Sequence, residues 1–280
     1  SAIGAKVNGQ LVDIDSFLTN DCALTIITRP RTDKHGRSKE DPGADALFLL
    51  RHSAAHVMAE AVCKLWPEAA LAYGPPVENG FYYDIFLDTP ISSDDFARIE
   101  EQMSKIIADD RPFTRYDLSR DDGLKKIEDE GNKYKIDNAL RALEGGVQTL
   151  SWYVTGPSND VGTGPKKIGG NSEFWEDLCR GPHLQHTGQV PQDAFKLMSV
   201  AGAYWRGDQS RDQMQRVYGV AFEDKKALKA YFVRLEEAKK RDHRKLGREL
   251  GLFTFHKWAP GAAFWLGHGT TLWNLLAEYM

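Results

Sequence analysis

The sequence has little cysteine and no long hydrophobic run, and each absence removes a class of protein. Its three cysteines, Cys22, Cys63 and Cys179, are odd in number and far apart. This argues against a disulfide framework and predicts a reducing compartment, with the cytoplasm as the default. No run approaches the roughly 18 apolar residues of a membrane span, and the N-terminus has no signal-peptide hydrophobic segment. The sequence therefore argues against a membrane protein and against a secreted disulfide scaffold.

A strong charge of either sign is also missing. The 36 basic and 40 acidic residues give a net charge of −4, so any nucleic-acid binding has to depend on a local basic patch. Hydrophobic residues make up 41% and charged residues 27%, which is typical of a soluble globular protein. With 280 residues, the chain is long enough for roughly two domains and a substantial core.

The first third of the chain predicts strands followed by a helix. Asn8-Gly9 predicts a tight hairpin between two short strands within residues 1–28. Residues 29–44, RPRTDKHGRSKEDPGA, are dense in charge, glycine and proline, and predict a solvated linker. Over residues 47–65 apolar and small residues recur with helical spacing, and Pro67 then ends the helix. We expect a multi-domain α+β fold, in which a small β-rich N-terminal domain precedes a larger mixed domain.

Further elements are predicted from turn residues and apolar spacing. In LAYGPPVENGFYYDI, at 71–85, two strands are expected with Asn79-Gly80 as the reversal. A helix with Ser93 as its N-cap is expected next, and its apolar stripe is Phe96, Ile99, Met103, Ile106 and Ile107. The Gly-rich stretch GPSNDVGTGPKKIGGN, at 156–171, predicts a mobile loop.

The last part of the sequence predicts two amphipathic helices. The first has a buried stripe formed by Leu228, Tyr231, Phe232 and Leu235, and it continues into KKRDHRKLGR. The second begins near Thr271 and is still in its pattern at the final residue, which suggests a fragment of a longer protein.

Two pairs of residues with chemical potential stand out. In RHSAAHVMAE, at 51–60, His52 and His56 are four residues apart and share one face of the predicted helix. In DLCRGPHLQH, at 177–186, Cys179 and His183 are also four apart, but Gly181-Pro182 argues against a helix there. A turn has to bring that second pair together. If the fold joins the two pairs, they form a His, His, Cys, His set suitable for zinc.

Each pair also has a plain structural interpretation. A histidine pair at this spacing is more often structural than catalytic, and Cys63 on the same helical stripe fits core packing. Ser53 stands where the glutamate of an H-E-x-x-H metallopeptidase would be, so a zinc peptidase is disfavoured. Either pair alone is a weak signal, and their combination favours a functional site.

Five motifs together carry a family resemblance: RHSAAHVMAEAV, YGPPVENGFYYDI, DLCRGPH, FKLMSVAGAYWRGD and MQRVYGVAF. In order and approximate spacing they resemble the editing region of a threonyl-tRNA synthetase, from about Leu49 to beyond Arg248. Residues 5–28 resemble the end of the TGS domain, and the last 35 or so residues resemble the opening of a class II catalytic domain. The resemblance implies a partial TGS domain and linker at 1–45, an editing domain at 46–221, a linker helix at 222–247 and a truncated catalytic domain at 248–280.

In that family the editing region hydrolyses seryl-tRNA made by mistake. A threonine site cannot keep out serine, because one missing methyl is worth only about 1–3 kcal/mol. The resemblance implies a catalytic pocket formed by His52, His56, Lys135, Asp177, Cys179 and His183. Within it, His52 and Lys135 are expected to bind the terminal ribose and water. Asp177 and His183 are expected to orient water or to sense the serine hydroxyl.

The resemblance also implies partners and cofactors. The partner is tRNA(Thr) with its aminoacylated CCA end. Full-length members are homodimers that ligate threonine with ATP, magnesium and a catalytic-domain zinc, whereas this chain alone is not expected to aminoacylate and is compatible with a monomer. The predicted tRNA-binding residues, which could equally form an ordinary charged helix face, are Lys239, Lys240, Arg241, Arg244, Lys245 and Arg248.

The sequence leaves four questions open. The pocket is expected to work without metal, but a related alanyl-tRNA deacylase binds zinc with the set matching His52, His56, Cys179 and His183. A non-catalytic tRNA-binding or regulatory module is the other alternative. Tyr204 and Trp205 are expected to pack in the core, with stacking on a terminal base as the minority interpretation. Residues 140–174 do not resemble the family closely, so they leave one pocket wall unpredicted.

Overall fold

The structure, a computed structural model, describes residues 2–18, 21–29, 43–156 and 174–280. The linker predicted at 29–44 and the mobile loop predicted at 156–171 lie almost wholly outside the described residues. The chain divides into two compact units, one up to Leu228 and one from Lys229 onward. Helices and strands are mixed along the chain, so the predicted multi-domain α+β class is confirmed.

The first unit contains most of the elements. Its strands are β1 (Ala2–Val7), β2 (Gln10–Val12), β3 (Leu24–Thr28), β4 (Ala70–Tyr73), β5 (Pro76–Val77), β6 (Gly80–Phe86), β7 (Phe113–Ser119), β8 (Thr149–Thr155), β9 (Trp175–Leu178), β10 (Phe195–Tyr204) and β11 (Gln213–Ala221). Its helices are α1 (Gly43–Leu65), α2 (Phe96–Ala108), α3 (Arg120–Glu130) and α4 (Lys133–Glu144).

A small antiparallel sheet, ordered β2-β1-β3, forms the N-terminal part of this unit. The predicted hairpin joins β1 to β2, with Val7 opposite Gln10. Asn8 and Gly9 both have positive φ, 50° and 83°, as a two-residue turn between right-twisted strands requires. We call β1, β2 and β3 the N-terminal sheet.

Helix α1 runs through the main core and is buried on nearly every side. It packs against β6 of the antiparallel sheet β10-β11-β6-β4 and against α2. Leu49, Val57 and Met58 are fully buried, and five buried alanines within α1 let neighbouring elements approach closely. A helix that is apolar on all sides is typical of a protein interior. Its buried polar side chains, such as His52 and His56, are therefore expected to have hydrogen-bond partners or a functional role.

A second antiparallel sheet, β7-β8-β9, carries α3 and α4 through a separate apolar cluster that includes Ile127, Leu150 and Trp152. Its last strand, β9, contains the first two residues of the sequence DLCRGPH and ends at Leu178. Side chains from α1, α4, β6 and the segment after β9 can therefore face one another.

Two sequence predictions need correction. The capping serine is Ser92 and not Ser93, and it caps the 3-10 turn Ser93–Asp95 that leads into α2: Ser92 Oγ accepts from the Asp94 amide, and the Asp95 carboxylate accepts from the Ser92 amide. The predicted single linker helix is two helices, α5 (Lys225–Lys240) and α6 (His243–Glu249). The break lies at Asp242, whose Oδ1 accepts from the Arg244 amide at 2.8 Å and starts the second helix.

The second unit ends with a hairpin, β12 (Phe253–His256) and β13 (Ala259–Trp265), and with α7 (Gly267–Tyr279), which confirms the predicted final helix. The boundaries predicted at 45/46, 221/222 and 247/248 stay predictions. Among the helices that the structure describes, none combines the length and the apolar character needed to span a bilayer.

Candidate active site

The structure brings the two predicted pairs together. His52 and His56 project from the same face of α1, with ring centroids 5.4 Å apart. The segment after β9 places the Cys179 sulfur 3.3 Å from His52 Nε2 and 3.4 Å from His183 Nε2. One donor atom from each of the four residues lies within 4.8 Å of the others. A turn, and not a helix, makes the second pair meet, as predicted.

The residues between Cys179 and Leu184, here called the Cys-His loop, have no regular structure and are held by individual hydrogen bonds. The Cys179 amide donates to Ser151 O at 3.0 Å, and the Gly181 amide donates to Cys179 Sγ at 3.2 Å. The Leu184 amide donates to Ser53 Oγ at 2.9 Å, and the same hydroxyl lies 3.2 Å from His183 Nδ1. The sequence indicated Ser53 only as the residue that replaces a metallopeptidase glutamate, and it did not reveal the contacts of the Ser53 hydroxyl with His183 and with the Leu184 amide.

The tautomer of His52 follows from its contacts. Its Nδ1 lies 3.2 Å from the carbonyl oxygen of Pro182. A carbonyl only accepts, so the ring proton has to be on Nδ1 and the lone pair on Nε2. That lone pair faces the Cys179 sulfur and is free to accept a hydrogen bond or to bind a metal ion.

A second cluster joins the predicted residues Lys135 and Asp177 to a residue that sequence reasoning missed. Lys135 Nζ lies 2.8 Å from Asp177 Oδ1 and 3.1 Å from the Tyr83 hydroxyl. The Tyr83 hydroxyl in turn donates to Asp177 Oδ2. All three residues are at least nine-tenths buried. Tyr83 shares the buried face of β6 with Phe81 and Ile85. A buried tyrosine needs a hydrogen-bond partner for its hydroxyl, and this need was the sequence signal that could have indicated Tyr83 as part of the site.

Local structure places each member of this second cluster. Lys135 lies in the first turn of α4, where Asn132 caps the helix by accepting from the Tyr134 and Lys135 amides. Asp177 lies on β9, paired to β8 through Tyr153. A buried ammonium is tolerated because a carboxylate and a phenol oxygen surround it.

Burial makes the three imidazoles neutral. It lowers the pKa of His52 to about 4, and it lowers the pKa of His56 and of His183 well below the usual value, with the neighbouring imidazoles adding to the effect. Burial also raises the pKa of the Cys179 thiol to about 12. At neutral pH the site therefore offers neutral imidazoles and a thiol beside one buried ion pair, a set that accepts and donates hydrogen bonds without net charge.

The site opens into a cavity of about 900 Å³. It is lined by His52, His56 and Cys179 of the first cluster and by Tyr83 and Lys135 of the second, and its rim carries cationic and aromatic side chains, including Arg115, Arg180, Arg206, Tyr73 and Tyr204. Tyr204 is 43% exposed at this rim, so its predicted place in the core is wrong, whereas Trp205 is buried as predicted and packs edge-on against Tyr134. The difference arises because β10 ends at Tyr204 and the chain turns there.

The six predicted tRNA-binding residues lie at the end of α5 and along α6, and all are exposed. Local carboxylates engage several of them: Lys240 lies 2.8 Å from Glu237, and Arg244 lies 2.7 Å from Asp242. These residues therefore form an exposed basic segment, and neighbouring carboxylates of the same segment partly neutralise its positive charge.

The donor set fits a zinc ion. Three imidazoles and one thiolate are ligands that zinc takes in tetrahedral sites. His52 presents its unprotonated nitrogen towards the centre, and His56 Nδ1 is a buried atom with no hydrogen-bond partner among the described residues. Zinc binding would require loss of the Cys179 thiol proton, and coordination of the sulfur by a dication promotes that loss.

Comparison with known families defines the class of protein. Residues 167–218 match the family model described as the threonyl and alanyl tRNA synthetase second additional domain, and residues 1–28 match the TGS domain. The first of these matches is to an accessory domain described for threonyl- and alanyl-tRNA synthetases, so the chain resembles the accessory part of such an enzyme.

Individual relatives are more specific. The chain is 43% identical over its whole length to the threonine–tRNA ligase of Marinobacter nauticus and 44% identical to that of Dinoroseobacter shibae, and it spans 38% of each. It is 42% identical over 99% of its length to the threonine–tRNA ligase of Acetivibrio thermocellus, of which it spans 39%. The chain is thus similar over its whole length to part of these threonine–tRNA ligases, as its motifs predicted, and it corresponds to less than half the length of these relatives.

Proposed function

We propose that this chain is the editing part of a threonine–tRNA ligase and that it hydrolyses the ester of seryl-tRNA(Thr). The observation that carries the proposal is that the α1 histidines, Cys179 of the Cys-His loop and the pair Lys135 and Tyr83 line one cavity, with Asp177 bonded to both members of that pair. A cavity of about 900 Å³ holds a terminal aminoacyl-adenosine, and its cationic rim suits the phosphates that follow.

The reaction needs an oriented water and a stabilised leaving group. Water adds to the ester carbonyl carbon, and the bond from that carbon to the ribose oxygen breaks. The water oxygen stays in the serine carboxyl group, and one water proton ends on the ribose oxygen, which leaves as a hydroxyl. A pKa of about 4 makes His52 a weak base, so its part is to align water and ribose through hydrogen bonds. The Lys135 ammonium and the Tyr83 hydroxyl are donors suited to charge that develops on oxygen.

In this proposal, selection against threonine depends on the close packing around His56. Trp175 packs edge-on against His56, and the surrounding side chains are buried and in contact. A dense wall accepts serine but has to move to admit an extra methyl group, which is costly in a packed interior. A polar cluster such as Asp177 with Lys135 can in turn recognise the serine hydroxyl, since an unmatched buried polar group is penalised.

A zinc-dependent alanyl-type deacylase is the second candidate, and the four convergent donor atoms favour it. Zinc would be held by ligands from the set His52, His56, Cys179 and His183, and it would lower the pKa of a bound water molecule if one of the four left its position open to that water. The residues of the second cluster would keep their binding role in either case.

The activity of the whole protein is a separate proposal. We infer that the full-length protein joins threonine to tRNA(Thr) with ATP and magnesium in the cytoplasm, and that this chain alone does not. The tRNA(Thr) acceptor end is the partner that the cavity and its rim would receive.

The deciding experiment measures hydrolysis of seryl-, threonyl- and alanyl-tRNA by this chain, each with and without a strong chelator. The proposal expects serine to be released selectively and the rate to resist the chelator. Chelator-sensitive release of alanine would support the second candidate. Binding of all three tRNAs with no cleavage would instead indicate a binding module and overturn both enzymatic candidates.

A further inference from the structure

His183 is held by a residue that lies far from it in sequence. Asp13 follows β2 in the N-terminal sheet, and its Oδ1 accepts from the His183 backbone amide at 2.9 Å. Pro182, the preceding residue, has no amide hydrogen to offer, and the next amide, that of Leu184, is bound by Ser53 Oγ. Asp13 and Ser53 therefore fix two consecutive amides of the Cys-His loop from two different elements.

The other oxygen of Asp13 fixes the wall behind the loop. The Tyr153 hydroxyl donates to Asp13 Oδ2 at 2.5 Å. The Tyr153 ring meets the His183 ring edge-on, with centroids 4.5 Å apart. A Cβ at Gly181 would collide with the Tyr153 hydroxyl, so the loop backbone rests directly on this residue. One carboxylate thus holds both the amide of His183 and the aromatic ring against which His183 packs.

We propose that Asp13 is a positioning residue for the pocket, and that the N-terminal sheet thereby completes the site. The sheet is distant in sequence from every residue of the two clusters, and the residues it spans match the TGS domain. Through Asp13, it sets the place of an imidazole that has to lie within hydrogen-bond distance of Cys179. Its neighbour Asp15 is exposed in the same turn and provides a matched control.

The variants Asp13→Ala, Asp13→Asn and Asp15→Ala test the proposal through hydrogen exchange, which does not depend on any activity. In Asp13→Ala we expect the His183 amide to exchange at least about tenfold faster, with the amides of α1 unchanged, because only local opening becomes easier. Asn can still accept from His183 and can donate to the Tyr153 oxygen, so Asp13→Asn restores slow exchange. Asp15→Ala should match the parent chain.

Kinetics supply the second measurement, which rests on the proposed hydrolysis of seryl-tRNA. At saturating tRNA, Asp13→Ala should slow ester cleavage by about 10- to 100-fold with the half-saturating tRNA concentration unchanged, because a displaced imidazole affects the reaction and not the docking of the tRNA. Asp13→Asn should recover most of the rate. Where Asp13→Ala lowers the melting temperature too far, Tyr153→Phe removes the bond to Oδ2, together with the contact of the Tyr153 hydroxyl with Arg115, and leaves the bond to the His183 amide in place; we expect a smaller, several-fold loss.

The two measurements separate the possible failures. Unchanged exchange of the His183 amide in Asp13→Ala would overturn the positioning role, as would an Asp13→Asn variant as impaired as Asp13→Ala. A parent chain that cleaves no ester would remove the proposed function, while the exchange data would still decide the role of Asp13.

Discussion

At the residue scale, His52 is the member of the site with the most defined chemistry. Its Nδ1 is committed to the Pro182 carbonyl, its Nε2 faces the Cys179 sulfur, and it borders the cavity. A side chain with one committed nitrogen is oriented, and the other nitrogen can align a water molecule.

His52→Ala is therefore expected to slow hydrolysis of seryl-tRNA by at least about 100-fold, the scale on which a positioned proton-transfer or hydrogen-bonding group contributes. Circular dichroism should show an intact fold. His243→Ala, at an exposed position of α6, controls for the loss of an imidazole. Parent-like activity in His52→Ala would remove this residue from the proposed site.

Lys135 can be tested through stability as well as activity. Lys135→Met removes the cation from the buried pair with Asp177 and leaves the carboxylate without its charge partner. We expect a loss of about 3–5 kcal/mol in the free energy of unfolding, measured by urea titration, together with loss of hydrolysis. Lys133→Met, on the same helix and exposed, should leave both quantities nearly unchanged. Equal stability of the two variants would contradict the buried ion pair.

At the scale of the element, the Cys-His loop decides between the metal-free and zinc-dependent mechanisms. Burial raises the pKa of the Cys179 thiol to about 12, so without metal the thiol acts as a hydrogen-bonding group and not as a nucleophile. Cys179→Ser keeps a donor and an acceptor at that place. We expect it to retain hydrolysis within about tenfold of the parent, because a zinc site alone requires the thiolate. Near-complete loss, with zinc found by elemental analysis in the parent chain, would decide for the zinc-dependent mechanism.

At the scale of the whole molecule, the buried imidazoles couple stability to pH. The unfolded state binds a proton at His52 below about pH 6.5, whereas the folded state does so only below about pH 4. Stability is therefore fully present above pH 6.5 and falls as the pH is lowered towards 4, by about 3 kcal/mol from His52 alone. Urea unfolding of the parent and of His52→Gln across this range should show a shallower decline in the variant. Parallel curves would mean that His52 does not carry the effect.

Whole-molecule electrostatics can also be tested through tRNA binding. With a net charge of −4, the chain has to bind through a local basic segment. We expect the triple alanine variant at Lys239, Lys240 and Lys245 to weaken tRNA binding and to reduce the slope of log K against log salt by about 1–3, if these residues meet phosphates. A control variant with the same change of charge replaces the exposed lysines Lys105, Lys125 and Lys196. Equal slopes for both variants would mark the segment as an ordinary charged helix face.

The sequence by itself determined most of the elements and the family resemblance. Helical spacing predicted α1, Asn8-Gly9 predicted the first hairpin, and the motif order predicted the threonine–tRNA ligase relationship. These signals are local, because turn chemistry, apolar period and motif spacing act over a few residues. Local signals also account for the two errors. Ser92 and Ser93 are the same residue type, so composition does not distinguish them as caps. The helix break at Asp242 depends on the hydrogen bond that its side chain accepts from the Arg244 amide, which helical spacing alone does not indicate.

Only the tertiary structure decided which residues share the site and in what state. Residues separated by more than 120 positions meet because α1 passes beneath the loop that follows β9. Tyr83, Ser53 and Asp13 entered the site through contacts that no spacing encodes. The neutrality of the imidazoles is likewise a consequence of burial, which depends on everything packed around them. The local sequence pattern determines whether a segment becomes a helix, a strand or a turn. The distances between side chains and the burial that shifts their pKa values determine the chemistry of the site, and both exist only once the chain has folded.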